Sequence, residues 1–115
     1  MKEGGMTEQR VRFRDLKPYS TVDSLDELAG PGDGTVALPR SIFWSKPSNT
    51  FDIGSPRERA QAYSALLTNG RPPQLREFVN RQLLIEDWPK LRLDQRIVDL
   101  WTVRHPELAG VKREW

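Results

Sequence analysis

The sequence predicts a mainly α protein: a compact bundle of four to five short helices behind an extended, partly flexible N-terminal arm. Three observations carry this. Helix-start signals recur, at Ser55-Pro56-Arg57-Glu58, Pro72-Pro73 and Asp94, each with residue types that satisfy or tolerate the unpaired N–H groups of a first turn. Between them, apolar residues return at i, i+3 and i+4. The one stretch suited to extended backbone, Thr35-Val36-Ala37-Leu38, is followed by no βαβ unit, so a sizeable sheet is not expected.

Composition bounds the rest. A chain of 115 residues, 37% hydrophobic and 30% charged, is one small domain with a thin core. It has no cysteine and one histidine, His105, which removes disulfides, a cysteine nucleophile and a structural zinc site. No apolar run approaches the roughly 18 residues that span a bilayer, so no membrane contact and a cytoplasmic location are expected.

From the N-terminus, residues 1–20 read as a flexible basic arm. Arg10-Val11-Arg12-Phe13-Arg14 alternates with period two, so an extended conformation puts Arg10, Arg12 and Arg14 on one face. Residues 21–109 form the helical domain, and 110–115 a C-terminal tail. A short helix opens the domain, capped at Thr21, Asp23 or Ser24, with Ser24-x-x-Glu27 as a capping box and Val22, Leu25 and Leu28 on one face. Gly30-Pro31-Gly32-Asp33-Gly34 breaks it, and Thr35–Leu38 then runs extended to Pro39.

The next helix runs from about Pro56 to Asn69, with Ala60, Tyr63, Leu66 and Leu67 facing inward and Gly70 in the left-handed position past its end. Pro72-Pro73 starts a helix with a Leu75, Phe78 and Val79 stripe. Leu83-Leu84-Ile85 and Trp88 form a third segment, stopped by Pro89. Asp94 caps a last helix carrying Ile97, Val98, Leu100 and Trp101, which ends before Pro106. Trp88 and Trp101, set among aliphatic residues, are core.

Charges are nearly balanced, with 18 Lys and Arg against 16 Asp and Glu. Arg57-Glu58-Arg59, Arg76-Glu77 and Glu86-Asp87 read as solvated surface. There is no phosphate-binding glycine loop, no G-x-S-x-G, no H-E-x-x-H and no kinase-like catalytic loop. His105, just before Pro106, reads as an imidazolium meeting the open carbonyls of a helix end. An enzyme is therefore not expected, nor a cofactor or metal. For nucleic acid, the nearest thing to a recognition helix is Arg76–Gln82, with Arg76, Asn80, Arg81 and Gln82; Phe78 and Val79 occupy its inward positions.

Binding to another protein has a clearer candidate. Ile42-Phe43-Trp44 lies between Pro39 and Pro47, which leave room for one helical turn. Successive side chains on a turn diverge by about 100°, so the three cannot share one core. Ile42 or Phe43 is expected to point inward, and Trp44 to stay partly exposed beside Phe51. The expected partner-binding set is Phe43, Trp44 and Phe51, rimmed by Arg40, Lys46 and Asp52, with Arg10, Arg12 and Arg14 of the arm in support.

Leu38-Pro39-Arg40-Ser41-Ile42-Phe43-Trp44-Ser45, Phe51-Asp52, Tyr63-x-x-Leu66-Leu67-x-x-Gly70, Leu75, Leu84, Trp88-Pro89-x-Leu91-x-Leu93 and Leu100-Trp101, with the Gly30-Pro31-x-x-Gly34-Thr35-Val36 lead-in, resemble a family of small bacterial proteins. Its members are encoded beside nucleotidyltransferase toxins of the AbiEii/MenT type and are taken as their antitoxins. The resemblance covers about residues 20–109. It implies a non-enzymatic inhibitor that binds and neutralises such a toxin, and it fixes no catalytic residue. The alternatives are a small DNA-binding transcriptional regulator, such as one acting on its own operon, and an interaction module for an unrelated protein.

Overall fold

The computed structural model describes residues 19–44 and 48–114. Arg10, Arg12, Arg14 and Lys46 lie outside that range. Among the described residues the protein is mainly helical, with a small two-stranded sheet. After a 3₁₀ turn at Leu25–Glu27 come strands β1 (Thr35–Ala37) and β2 (Thr50–Asp52), then helices α1 (Pro56–Asn69), α2 (Pro72–Phe78) and α3 (Arg81–Asp87). A second 3₁₀ turn, Trp88–Lys90, precedes α4 (Gln95–Arg104) and α5 (Pro106–Ala109).

The capping residues act as their chemistry dictates. Ser24 and Glu27 form a reciprocal capping box, Asp26 N donating to Ser24 Oγ at 3.2 Å and Ser24 N to Glu27 Oε2 at 3.0 Å. Ser55 Oγ accepts from Glu58 N with Pro56 at the first helical position, and Asp94 accepts from Arg96 N. Those Arg96 hydrogen bonds, joined by one from the Tyr19 hydroxyl, hold the Asp94 carboxyl well below the usual carboxylate range. As an α-helix the third segment ends at Asp87, capped by Trp88 just before Pro89. Pro89 itself sits inside the second 3₁₀ turn, where its fixed φ suits a first turn.

β2 had no sequence signal. It pairs antiparallel with β1, Val36 opposite Phe51, and the strand period puts Phe51 inward while Thr50 and Asp52 stay exposed. Helix α1 packs against β2, α2 and α3. Tyr63, Leu66 and Leu67 are buried on it as expected, and Ala60 is half-buried. Trp88 and Trp101 are fully buried in the same apolar cluster. Neither indole N–H has a hydrogen-bond partner among the described residues. Leu100 is half-buried: it packs against the edge of this cluster and lines an outer groove.

Gly70 also departs. Its φ is −78° and ψ 155°, ordinary extended backbone, so no left-handed cap ends α1. The glycine is required by proximity instead. Gly70 N donates to Leu66 O at 2.7 Å, and a Cβ here would lie 2.6 Å from that same oxygen. Gly30 is placed similarly, pressed onto the Phe78–Val79 peptide where a Cβ would overlap backbone atoms. Its N–H donates to Val79 O at 2.9 Å and Ala29 N to Arg76 O at 2.9 Å, which ties the N-terminal segment to α2.

Two groups read as solvated surface are core. Arg59 and Asp87 are nearly buried and form a two-pronged pair, Nε to Oδ2 at 2.6 Å and Nη2 to Oδ1 at 2.9 Å. Arg59 Nη1 donates to Ile53 O at 3.0 Å. The Asp87 hydrogen bond, opposed by burial, raises the Arg59 pKa further. The clasp joins α1, α3 and the end of β2. Beside it the buried Tyr63 hydroxyl accepts from Asn80 N at 3.0 Å, and burial pushes its phenol pKa up.

His105 differs from expectation as well. It is not an imidazolium at an open helix end but a buried ring, 2% exposed, tilted against Trp101 and 2.9 Å from Thr21 Oγ1. Burial lowers its pKa, which disfavours the charged form that a capping role needs. At the C-terminus, Arg113 lies over the Trp88 ring and donates to the Trp88 and Leu91 carbonyls.

Candidate functional site

The surface built by the Phe43–Trp44 segment begins with β1. Leu38 N donates to Asn49 O at 2.9 Å, and the Asn49 side chain donates to Leu38 O, so the loop between the strands is clamped at its base. Pro39 then accepts from both Ile42 N, at 2.9 Å, and Phe43 N, at 3.1 Å. This single turn spreads the three apolar side chains as the helical angle requires. Ile42 is buried, Phe43 half-buried and Trp44 60% exposed.

Each neighbour has a definite role. Phe43 meets Phe51 edge to face, centroids 5.0 Å apart and planes at 87°, a favoured aromatic geometry. Phe51 itself is fully buried, so it supports the surface from beneath and offers nothing to a partner. The ring beside it is Phe43, not Trp44. Asn69 Nδ2 donates to Ile42 O at 3.0 Å, fastening the turn to the end of α1. Asp52 is exposed, but its carboxylate accepts from Gly54 N at 2.9 Å and closes the turn into α1. Arg40 is exposed at the start of the turn.

Between the turn and α1 runs a groove of about 340 Å³, lined by Ile42, Phe43, Trp44, Gln61, Ser64, Ala65, Thr68 and Asn69. None of these side chains is charged. Gln61, Ser64, Ala65 and Thr68 fall on one face of α1 at helical spacing, and the Thr68 hydroxyl is turned back to Ser64 O at 2.7 Å. The groove can bury an apolar or aromatic group at little polar cost. It has no titratable group with which to move a proton. Its α1 wall went unread in the sequence because Gln61, Ser64 and Thr68 look like an ordinary solvated stripe. The only hint was an aromatic pair with nowhere to pack.

The candidate recognition stretch does not form one helix. α2 ends at Phe78 and α3 begins at Arg81. Asn80 is spent as the α3 cap, accepting from Leu83 N at 3.0 Å and donating to Gly30 O at 3.0 Å. Arg76 pairs with Glu27 at 3.4 Å, and Arg81 with Asp26 at 3.2 Å. A second groove, along Thr21, Arg96, Asp99, Leu100, Val103 and Arg104, leaves Val103 84% exposed. No cluster of His, Cys, Asp or Glu among the described residues could hold a metal ion, and no helix among them is long and apolar enough to cross a membrane.

No protein-family model, curated protein or solved structure matches the chain, so the assignment of this surface rests on its own geometry.

Proposed function

We propose that this chain is an antitoxin-like protein that binds and neutralises a nucleotidyltransferase-fold toxin, docking through Phe43, Trp44 and the groove they share with α1. The observation that carries a protein-binding role is Trp44: a full indole, 60% exposed, on a turn fixed by backbone hydrogen bonds. Aromatic anchors of this kind dominate binding energy at interfaces because they desolvate a large area with few rotatable bonds to freeze. The uncharged groove beside it receives the complementary anchor of the partner. The class of partner is taken from the sequence resemblance, which spans this turn and the helices behind it. The sharp break between α2 and α3 weighs against the DNA-binding alternative, since its polar side chains are engaged within the fold.

The test is retention of a partner by the native and Trp44→Ala proteins, purified from the native host with bound proteins identified. A nucleotidyltransferase-fold protein is expected with the native chain. Trp44→Ala should weaken its binding by about 2–4 kcal/mol, at least tenfold in Kd, and leave the melting of the free chain within about 0.5 kcal/mol. Retention of a different class of protein refutes the antitoxin reading. Undiminished binding by Trp44→Ala refutes the docking surface.

A further inference from the structure

We propose that His105 is an acid-sensitive latch: as a neutral ring it pins the Tyr19–Leu28 segment into the corner between α4 and α5, and its protonation frees that segment ahead of the helical core. The corner is defined by Trp101 on α4 and Leu108 on α5, both buried, and by Val22, Leu25 and Leu28 of the segment in the same apolar cluster. His105 stands between the two helices. Its ring centroid is 5.2 Å from that of Trp101, and its Nε2 is 2.9 Å from Thr21 Oγ1. The Val22 backbone also faces the ring and favours its charged form. Other polar ties between this end of the segment and α4 are exposed, Arg104 to Asp23 at 3.0 Å and the Tyr19 hydroxyl to the capping Asp94 at 3.2 Å, and so contribute little.

The chemistry of the ring makes this contact conditional on pH. A neutral imidazole offers one donor and one acceptor, whereas the imidazolium offers two donors and no acceptor. The Thr21 hydroxyl can accept from the imidazolium as well as pair with the neutral ring, so the cost of protonation is the charge that it puts in an apolar corner. The charged groups around it do not cancel that cost. Burial is the largest influence and disfavours the charge, and Arg104 on α4 adds to it; Glu107 on α5 and Glu27 in the 3₁₀ turn oppose it. With the latched pKa below the free value of about 6.5, the ring takes up a proton more readily once the segment is released. Acidification from about pH 7.5 therefore leaves the latched state intact until the free pKa is approached, then weakens it progressively as the pH falls.

The experiment follows methyl NMR signals of Val22, Leu25 and Leu28 in the segment and of Leu66 and Leu67 in α1, together with the His105 ring, from about pH 7.5 to about pH 5. The expected result is at least a tenfold rise in the open population of the segment, tracking the ring titration, while Leu66 and Leu67 keep their native shifts. His105→Gln, which stays neutral throughout, should abolish the response. The proposal is overturned if segment and α1 methyls change together, if neither changes, if the segment opens at a pH where the ring does not titrate, or if His105→Gln responds like the native chain. Should His105→Gln not fold, the match between ring and segment midpoints in the native protein decides alone.

Discussion

Asp87→Ala tests the buried clasp most directly. The substitution removes both charge-assisted hydrogen bonds to Arg59, at 2.6 and 2.9 Å, and leaves the guanidinium with the Ile53 carbonyl as its one remaining protein partner from the clasp. The Arg59 side chain is only 10% exposed, so water cannot replace the lost carboxylate without opening the packing between α1 and α3. Leaving one charge of such a pair buried costs about 3–5 kcal/mol, against a total stability of about 5–15 kcal/mol for a domain of this kind. At several degrees per kcal/mol, the melting temperature should fall by roughly 10–20 °C, read by circular dichroism and by the urea midpoint. Replacing both partners, Arg59→Met with Asp87→Leu, removes the uncompensated charge and should recover most of that loss. If Asp87→Ala stays within about 1 kcal/mol of the native protein, the clasp is not a buried charge pair in the sense argued above.

Substitutions at two further positions probe the core and the end of α1. Gly70→Ala should cost about 1–3 kcal/mol by driving a methyl into the Leu66 carbonyl; Gly70→Asn separates the causes, because a left-handed cap tolerates Asn and a close approach does not, so near-native melting of Gly70→Asn would contradict the packing argument. Trp101→Ala should destabilise by about 3–5 kcal/mol in chemical denaturation. Trp101→Phe should cost clearly less, because the unpaired indole N–H leaves no acceptor stranded, and equal losses would count against that reading.

Much of the fold was legible from local chemistry. Ser55, Pro56 and Glu58 fixed the start of α1, Asp94 fixed that of α4, and Ser24 with Glu27 marked the first turn, because a cap acts within a few residues of itself. Trp88 and Trp101 were legible as core for a similar reason: indoles that large, set among aliphatics, have few other places to go. The spread of Ile42, Phe43 and Trp44 followed from helical geometry alone, and so did the exposure of one of them.

What the sequence did not disclose depends on residues far apart in the chain. Arg59 sits beside Glu58 in sequence and Asp87 beside Glu86, so both resembled solvated surface charges. Only the packing of α1 on α3 brings them together and excludes water. Strand β2 has three residues and no pattern of its own; it exists because β1 lies opposite. Gly70 and Gly30 showed that a glycine was needed but not why, since the distance to Leu66 O or to the Phe78–Val79 peptide is set by how the chain returns on itself. His105 looked like a helix-end cation until the Thr21–Val22 segment covered it. Local sequence determined where this chain turns and which side chains must leave water. The tertiary structure alone decided which charges share a dielectric, that His105 is buried, and which face of α1 walls the groove beside Trp44.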